Sequence, residues 1–252
     1  MGERDKENEL KTTRPVALVT GSSSLLGEAI CLKLARAGYD LALHYQKSFL
    51  KIRKLEKNVR GLGVDSLAIR ADLKEPKNVI EVIRKIKRRF NRLDLLVNNA
   101  SLFFPTPPSK ESLSQWERIF QVNLFAPYFL SQAASSLLKK NNGCILNLTD
   151  IYGENPILKD YGAYCLSKAA LISATRLLAK ELGPEIRVNG VSPGAVKIPK
   201  SYNPVQRKKL IEKSALQKQG KPEDIAEAVF FLTSQKFITG QILRVDGGRF
   251  LI

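Results

Sequence analysis

"PVALVTGSSSLLG", residues 15–27, sets a short apolar run against a turn rich in glycine and serine. Residues 15–20 read as a buried strand, and the turn opens an apolar helical pattern that continues through Ala37. In that order, backbone N–H groups and the positive end of the helix dipole face whatever anion sits over the turn, as a pyrophosphate would. Gly21 permits the tight turn and Gly27 permits close helix packing. Ser23 and Leu26 belong to the same cradle, in which three consecutive serines add hydroxyl donors. The competing reading is a serine-rich N-cap of a buried helix.

Outward from this unit the alternation continues. Strands are expected in "DLALHY" (40–45), "VDSLAIRADL" (64–73), "LDLLVNNA" (93–100), "GCILNLTD" (143–150), "IRVNGVSPG" (186–194) and "GQILRVDGG" (240–248). Helices are expected over about 47–60, in "PKNVIEVIRKIKRRF", over about 111–138, over about 162–182 and in "PEDIAEAVFFLTS" (222–234). Strands that are almost wholly apolar and alternate with helices indicate an α/β fold, a doubly wound, Rossmann-type, mostly parallel sheet of about seven strands with helices on both faces. Residues 1–14 read as a flexible tail and 15–252 as a single domain, with an irregular basic segment over about 195–220.

Composition narrows the classes. The 252 residues are 44% hydrophobic, a globular value. Runs such as "AVFFL" (228–232) are too short to cross a bilayer, and the charged N-terminus has no apolar core of a secretory signal. Three dispersed cysteines fit reduced core residues of a cytoplasmic protein, and a single histidine excludes a multi-histidine metal site. The net charge is +17, but Lys and Arg are spread over many segments. The densest run, "RKIKRRFNR" (84–92), reads as the solvated face of a helix that buries Val79, Val82, Ile83, Ile86 and Phe90. The expectation is a positive field that attracts anionic cofactors and substrates, without specific nucleic-acid binding or a membrane.

In a doubly wound sheet, ligands bind at the carboxyl ends of the strands. That rule gathers Gly21–Gly27, His44–Ser48, Asp72, Asn98–Phe104, Asp150 and Pro193–Val196 on one rim. An NAD site usually carries an acid after the second strand, to take the ribose 2′-hydroxyl. "HYQKS" has none, and Lys47 and Ser48 suit a 2′-phosphate, so NADP is preferred. His44 and Tyr45 are read as cofactor-adjacent, His44 without an acid–base role. "ADL" (71–73) puts Asp72 on the adenine amino group, with Leu73 beside it. Asn99, Ala100, Ser101, Pro193, Gly194 and Val196 complete the cofactor set.

Tyr164 and Lys168 stand four apart in "YCLSK", one helical turn, on one face. A lysine charge there favours the phenolate and lowers the tyrosine pKa. Together with "VTG…G", "ADL", "LVNNAS", "VNL" around Asn123, "IRVNGVSPG" and "VDGG", this order of motifs resembles the short-chain dehydrogenase/reductase family over nearly all of 15–248. The resemblance implies hydride transfer between a nicotinamide (NADPH/NADP) and a carbonyl or imine carbon. It implies Tyr164 as proton donor, Lys168 as its partner and ribose ligand, Asn123 as anchor of a water in the proton path, and a homotetramer. Apolar residues on more than one face of the two long helices, among them Phe125, Phe129, Leu171 and Leu177, agree with a subunit interface.

Most of that family carries a serine where "LTD" places Asp150. An aspartate suits a substrate that offers N–H donors or takes a proton on a ring nitrogen, and one branch, the pteridine reductases, is like this. "LVNNASLFFPTPP" resembles their segment, in which Ser101 contacts cofactor or pterin and Phe103 stacks on the flat ring. "LALHYQKS", "PGAVKIP" and "FITGQILRVDGGRFL" are also similar to bacterial members. Leu25 departs from the pattern, standing where the broader family has a glycine and pteridine reductases often have an arginine. The resemblance therefore implies an NADPH-dependent reductase of a pterin or dihydropterin/dihydrofolate, using Asp150, Tyr164, Lys168 and Asn123. The resemblance makes 15–252 a single NADP-binding catalytic domain and about 195–220 its substrate loop, whose Lys197, Lys200, Lys208 and Lys209 could meet a folate-like tail or simply be solvated. Alternatives are a reductase of another carbonyl, such as a 3-oxoacyl thioester, and a non-catalytic NADP-binding or nucleic-acid-associated protein. The apolar tail "GRFLI" is expected to dock, with Arg249 near a partner's active site.

Overall fold

The computed structural model describes residues 13–109, 113–196 and 203–252. The expectations for the first twelve residues of the tail, and for Lys197 and Lys200, lie outside them. Seven parallel strands form one sheet in the order β3-β2-β1-β4-β5-β6-β7. They are β1 (Val16–Val19), β2 (Asp40–Tyr45), β3 (Ser66–Arg70), β4 (Leu95–Asn98), β5 (Cys144–Leu148), β6 (Arg187–Pro193) and β7 (Ile242–Val245). Each of β1, β2, β4 and β5 is buried at every position, which is why these strands read as continuous apolar runs rather than alternating ones.

One face of the sheet is covered by α1 (Leu25–Arg36), α2 (Phe49–Gly61) and α9 (Pro222–Ser234), whose Ile30, Leu34, Ile52, Leu55, Ile225 and Val229 share a core with β1 and β2. The other face takes α3 (Pro76–Phe90), α5 (Ala126–Lys139) and α7 (Gly162–Leu182). The apolar stripe of α3 is the set anticipated from its spacing: Val79, Val82, Ile83, Ile86 and Phe90 are buried, and Arg84, Lys87, Arg88 and Arg89 face solvent. The helical region before β5 is not continuous. It consists of α4 (Leu113–Phe120), a π-helical turn (Gln121–Phe125) and α5. A further short helix, α6 (Ile151–Glu154), follows β5. The segment read as irregular contains α8 (Pro204–Glu212), started by a capping box between Asn203 and Gln206 and by Pro204 in its first turn.

The strand order reverses between β1 and β4, so the first turns after these strands diverge and leave a cleft at their carboxyl ends. Phe125, Phe129 and Leu177 are 41%, 48% and 47% exposed, whereas Leu171 is 1% exposed and belongs to the interior rather than to an outer face. Among the described residues no helix is long and apolar enough to cross a membrane. The three cysteines are free and buried.

Candidate active site

The cleft has a volume of about 830 Å³ and is lined from one end to the other by expected residues: Gly21, Ser23, Leu26, His44, Lys47, Ser48, Asp72, Leu73, Asn99, Ala100, Ser101, Phe103, Asp150, Tyr164, Lys168, Pro193, Gly194 and Val196. Gly21 holds φ +65°, and a side chain on it would meet Ala100 Cα at 3.1 Å. A Cβ on Gly27 would lie 2.3 Å from the Gly21 carbonyl oxygen, so Gly27 lets α1 close on the turn and does not itself face the cleft. Only part of the serine triplet is available to a ligand. The Ser22 hydroxyl donates inward to the Val19 carbonyl, and Ser24 caps α1 by accepting the Gly27 N–H. Ser23 faces the cradle, and Ser24, which lines it too, keeps its O–H to donate because Gly27 and Asn99 use only its acceptor positions.

Two other expectations change. Tyr45 is 6% exposed and packs in the core with β1 and α2, because the strand's alternation points it away from the cleft. His44 lines the cleft but serves as a brace. Its Nδ1 accepts the Gly21 N–H at 3.1 Å and its Nε2 donates to the Ala71 carbonyl at 3.2 Å. Burial pushes its pKa down to about 4, so the ring is neutral and its tautomer is set by those two partners. Asn99 is a second brace, donating to the Thr20 and Gly21 carbonyls and to Ser24.

The chain fits a nicotinamide dinucleotide with a 2′-phosphate. The N-terminus of α1 opens on the cleft over a glycine turn in which a larger residue would be strained, and the end of β2 offers an exposed Lys47 and a half-buried Ser48 without an acid. The Ser48 side chain makes no capping bond to α2, which leaves its hydroxyl for a ligand.

At the other end of the cleft, Asp150 follows β5 and caps α6 by accepting the Tyr152 N–H on Oδ1 at 2.9 Å. Its second oxygen, Oδ2, accepts the Tyr164 hydroxyl at 2.6 Å. Burial raises the Asp150 pKa above the ordinary carboxylate value. Tyr164 is raised well above 10, first by burial and then by the Asp150 charge. The expected lowering of the phenol by Lys168 is therefore not seen. The lysine Nζ donates instead to the Leu148 carbonyl at 2.7 Å and lies 5.8 Å from the Tyr164 ring centre. Burial in turn lowers Lys168 to about 8, against the pull of Asp150. A side chain on Gly153 would come within 2.7 Å of the Lys168 backbone, so α6 rests directly on α7.

Asn123 is fully buried in the π-helical turn and does not line the cleft. Its Oδ1 accepts from the Leu102 N–H and the Ser101 hydroxyl, and its Nδ2 donates to the Leu102 carbonyl and Ser167. All four side-chain hydrogen-bonding positions are engaged, so the amide cannot anchor a water; only its backbone carbonyl could. Phe103 is 49% exposed and stacks on Tyr161, ring centres 4.5 Å apart, while meeting Tyr164 edge-on at 4.7 Å.

Several lining residues escaped the sequence reading: Thr149, Tyr152, Leu158, Tyr161 and Leu210. Tyr161 had a signal, since it lies one helical turn before the Tyr164–Lys168 face. Leu210 lies in the segment expected to form the substrate loop, but nothing in its surroundings says that a helix there turns this particular side chain to the cleft. Lys208 pairs with Glu212 and Lys209 is exposed, in line with solvated lysines. Arg249 is the residue expected near a partner's active site. Within its own chain it donates to the Tyr152 hydroxyl at 3.1 Å and to the Leu210 carbonyl at 2.7 Å. Of the tail, Phe250 docks under the Arg244 guanidinium at 3.7 Å, and Leu251 and Ile252 stay exposed.

The family model described as "Enoyl-(Acyl carrier protein) reductase" matches residues 21–249. The 3-oxoacyl-(acyl-carrier-protein) reductase FabG of Staphylococcus epidermidis is 32% identical over 243 residues, 93% of this chain and 98% of the relative. Among solved structures, a blue fluorescent protein from a metagenomic library, in complex with NADPH, superposes with a TM-score of 0.88 at 32% identity, covering 93% of this chain and 97% of that one. A Serratia marcescens short-chain dehydrogenase/reductase variant matches with a TM-score of 0.88 at 30% identity, covering 94% and 98%.

Proposed function

The chain belongs to the short-chain dehydrogenase/reductase family, and from that premise we propose that it is an NADPH-dependent reductase of a C=O or C=N bond, with Tyr164 as the proton donor. The observation that carries this reading is that the Tyr164 phenol, the Lys168 ammonium and the glycine cradle share one cleft. Ser23, Lys47, Ser48 and Asp72 would hold the adenine end of the cofactor, and Ser101, Lys168 and Pro193–Val196 the nicotinamide end. When bound, NADPH supplies the hydride. The protein supplies the proton: Tyr164 is a phenol at neutral pH because burial and Asp150 both oppose its ionisation. Lys168, lowered to about 8, is charged at neutral pH and stabilises the phenolate as the proton leaves.

For the substrate, kinship favours the 3-oxoacyl thioester, the alternative of the sequence reading, over the pterin, since the curated relative reported above bears that activity in its name. The positive surface suits an acidic carrier of the thioester. A specific feature favours the second reading, a pterin or folate ring. A carboxylate, Asp150, faces the reaction end of the cleft beside an aromatic shelf of Phe103 and Tyr161. A ring N–H can donate to that carboxylate, and a flat heterocycle can lie on the shelf. The exposed Phe125, Phe129 and Leu177 support the homotetramer.

NADPH oxidation with an acetoacetyl thioester, dihydrobiopterin and dihydrofolate in parallel, for the wild type, Tyr164→Phe and Asp150→Ser, tests both readings. Thioester turnover that survives Asp150→Ser supports the first. Pterin turnover that collapses in Asp150→Ser supports the second. Wild-type rates in Tyr164→Phe would remove the proton donor on which both depend.

A further inference from the structure

Thr106 lies on the loop after β4, where Pro105, Pro108 and Ser109 are exposed, yet it is completely buried. Both of its local polar groups point at the start of α7. Its N–H donates to the Asp160 carbonyl at 2.6 Å, and its hydroxyl oxygen accepts the Ala163 N–H at 3.2 Å across 57 residues of sequence. Thr106 and Tyr161 also form an isolated parallel bridge.

The first N–H groups of a helix lack partners inside it, and a side chain at the N-cap usually takes one of them. Tyr161, the N-cap of α7, makes no such bond. The facing loop supplies the missing acceptor through Thr106. Asp160, which receives the Thr106 N–H, holds φ +64°, a conformation that a non-glycine residue keeps only when its surroundings fix it. The same loop is clamped at its other end, where Asn123 holds both the N–H and the carbonyl of Leu102. Between the two clamps Phe103 packs on Tyr161 and Tyr164.

We propose that Thr106 is a positioning residue: its hydroxyl caps the catalytic helix from the opposite loop and sets the depth of the Tyr164 phenol against the Phe103 shelf. It touches neither cofactor nor substrate; it acts through Ala163 and the first turn of α7. The proposal rests on the reading of Tyr164 as proton donor. Loop and helix then form one unit, so an unfastened helix start displaces the phenol from the reacting atom while the glycine cradle stays intact.

The test compares Thr106→Val, which keeps the shape without the acceptor, with Thr106→Ser, which keeps the hydroxyl. Steady-state rates on the best substrate of the panel above, NADPH binding, and amide hydrogen exchange at Ala163 are measured. A misplacement near 1 Å costs up to about a hundredfold, so Thr106→Val is expected to lose roughly tenfold or more in kcat, with NADPH affinity kept within about twofold. Ala163 exchange accelerates in Thr106→Val, and Thr106→Ser restores both readouts. If Thr106→Val does not fold, Thr106→Cys takes its place with the same expectations. Unchanged kcat, unchanged Ala163 exchange, loss of NADPH binding in parallel with rate, or failure of the serine variant to rescue each overturns the proposal. If the wild type turns over no C=O or C=N compound, the proton-donor reading fails instead, and Ala163 exchange alone decides the cap.

Discussion

The Tyr164 hydroxyl donates to Asp150 Oδ2 at 2.6 Å, and the other Asp150 oxygen caps α6. The donor of the proposed reaction is thus held by a carboxylate, not by the lysine one turn along its own helix. Substitution of Asp150 by serine removes the negative neighbour that, after burial, raises the phenol pKa. Asp150 also holds up the Lys168 pKa, so in Asp150→Ser both Tyr164 and Lys168 should titrate lower, and the alkaline limb of the kcat/KM profile, which Lys168 sets first, should move to lower pH. A pH–rate profile with an unmoved limb would count against the coupling.

Lys168 contributes charge only while protonated. Burial brings it down from 10.5 to about 8, so in the free enzyme this contribution is present below that pH and fades as pH rises through it. For stability the sign is opposite to that of an ion pair. Between about 8 and 10.5 the unfolded chain binds more protons than the native one, so this residue makes stability rise with pH there. Lys168→Met should lower kcat by about 10²-fold or more and flatten that rise. Thermal melts across the alkaline range, alongside rates, check both.

His44 predicts acid sensitivity. Its pKa is lowered from 6.5 to about 4, chiefly by burial, so the unfolded chain takes up a proton first as pH falls. Stability present above 6.5 is lost progressively down to about 4, by up to roughly 3 kcal/mol. His44→Gln should show a smaller drop in unfolding temperature between these pH values than the wild type. Equal drops in both proteins would place the acid sensitivity elsewhere.

Lys47 and Ser48 predict cofactor choice. Lys47→Glu puts an acid at the end of β2, which repels a 2′-phosphate and can accept from a 2′-hydroxyl. The ratio of kcat/KM for NADPH over NADH should fall by at least about tenfold. An unchanged ratio would assign phosphate recognition to other residues.

What the sequence determined by itself is whatever follows from local periodicity. Apolar runs alternating with helical patterns gave the parallel sheet, "PKNVIEVIRKIKRRF" gave a helix with the observed buried stripe, and the four-residue step from Tyr164 to Lys168 placed both on one helical face. The cradle was legible for the same reason, since a glycine turn between a strand and a helix is a local pattern. The partner of each polar group was decided only in three dimensions, because it depends on which distant segments pack together. Ser22 turns inward, His44 braces Gly21 and Ala71, and Asn123 is taken up by Leu102 and Ser167. Tyr152 and Leu210 enter the cleft, and Asp150 meets Tyr164, by contacts that no spacing encodes. The protonation chemistry belongs to this second group, since burial is its largest cause at Asp150, Tyr164 and Lys168, and burial exists only once the sheet and its helices have closed over the site.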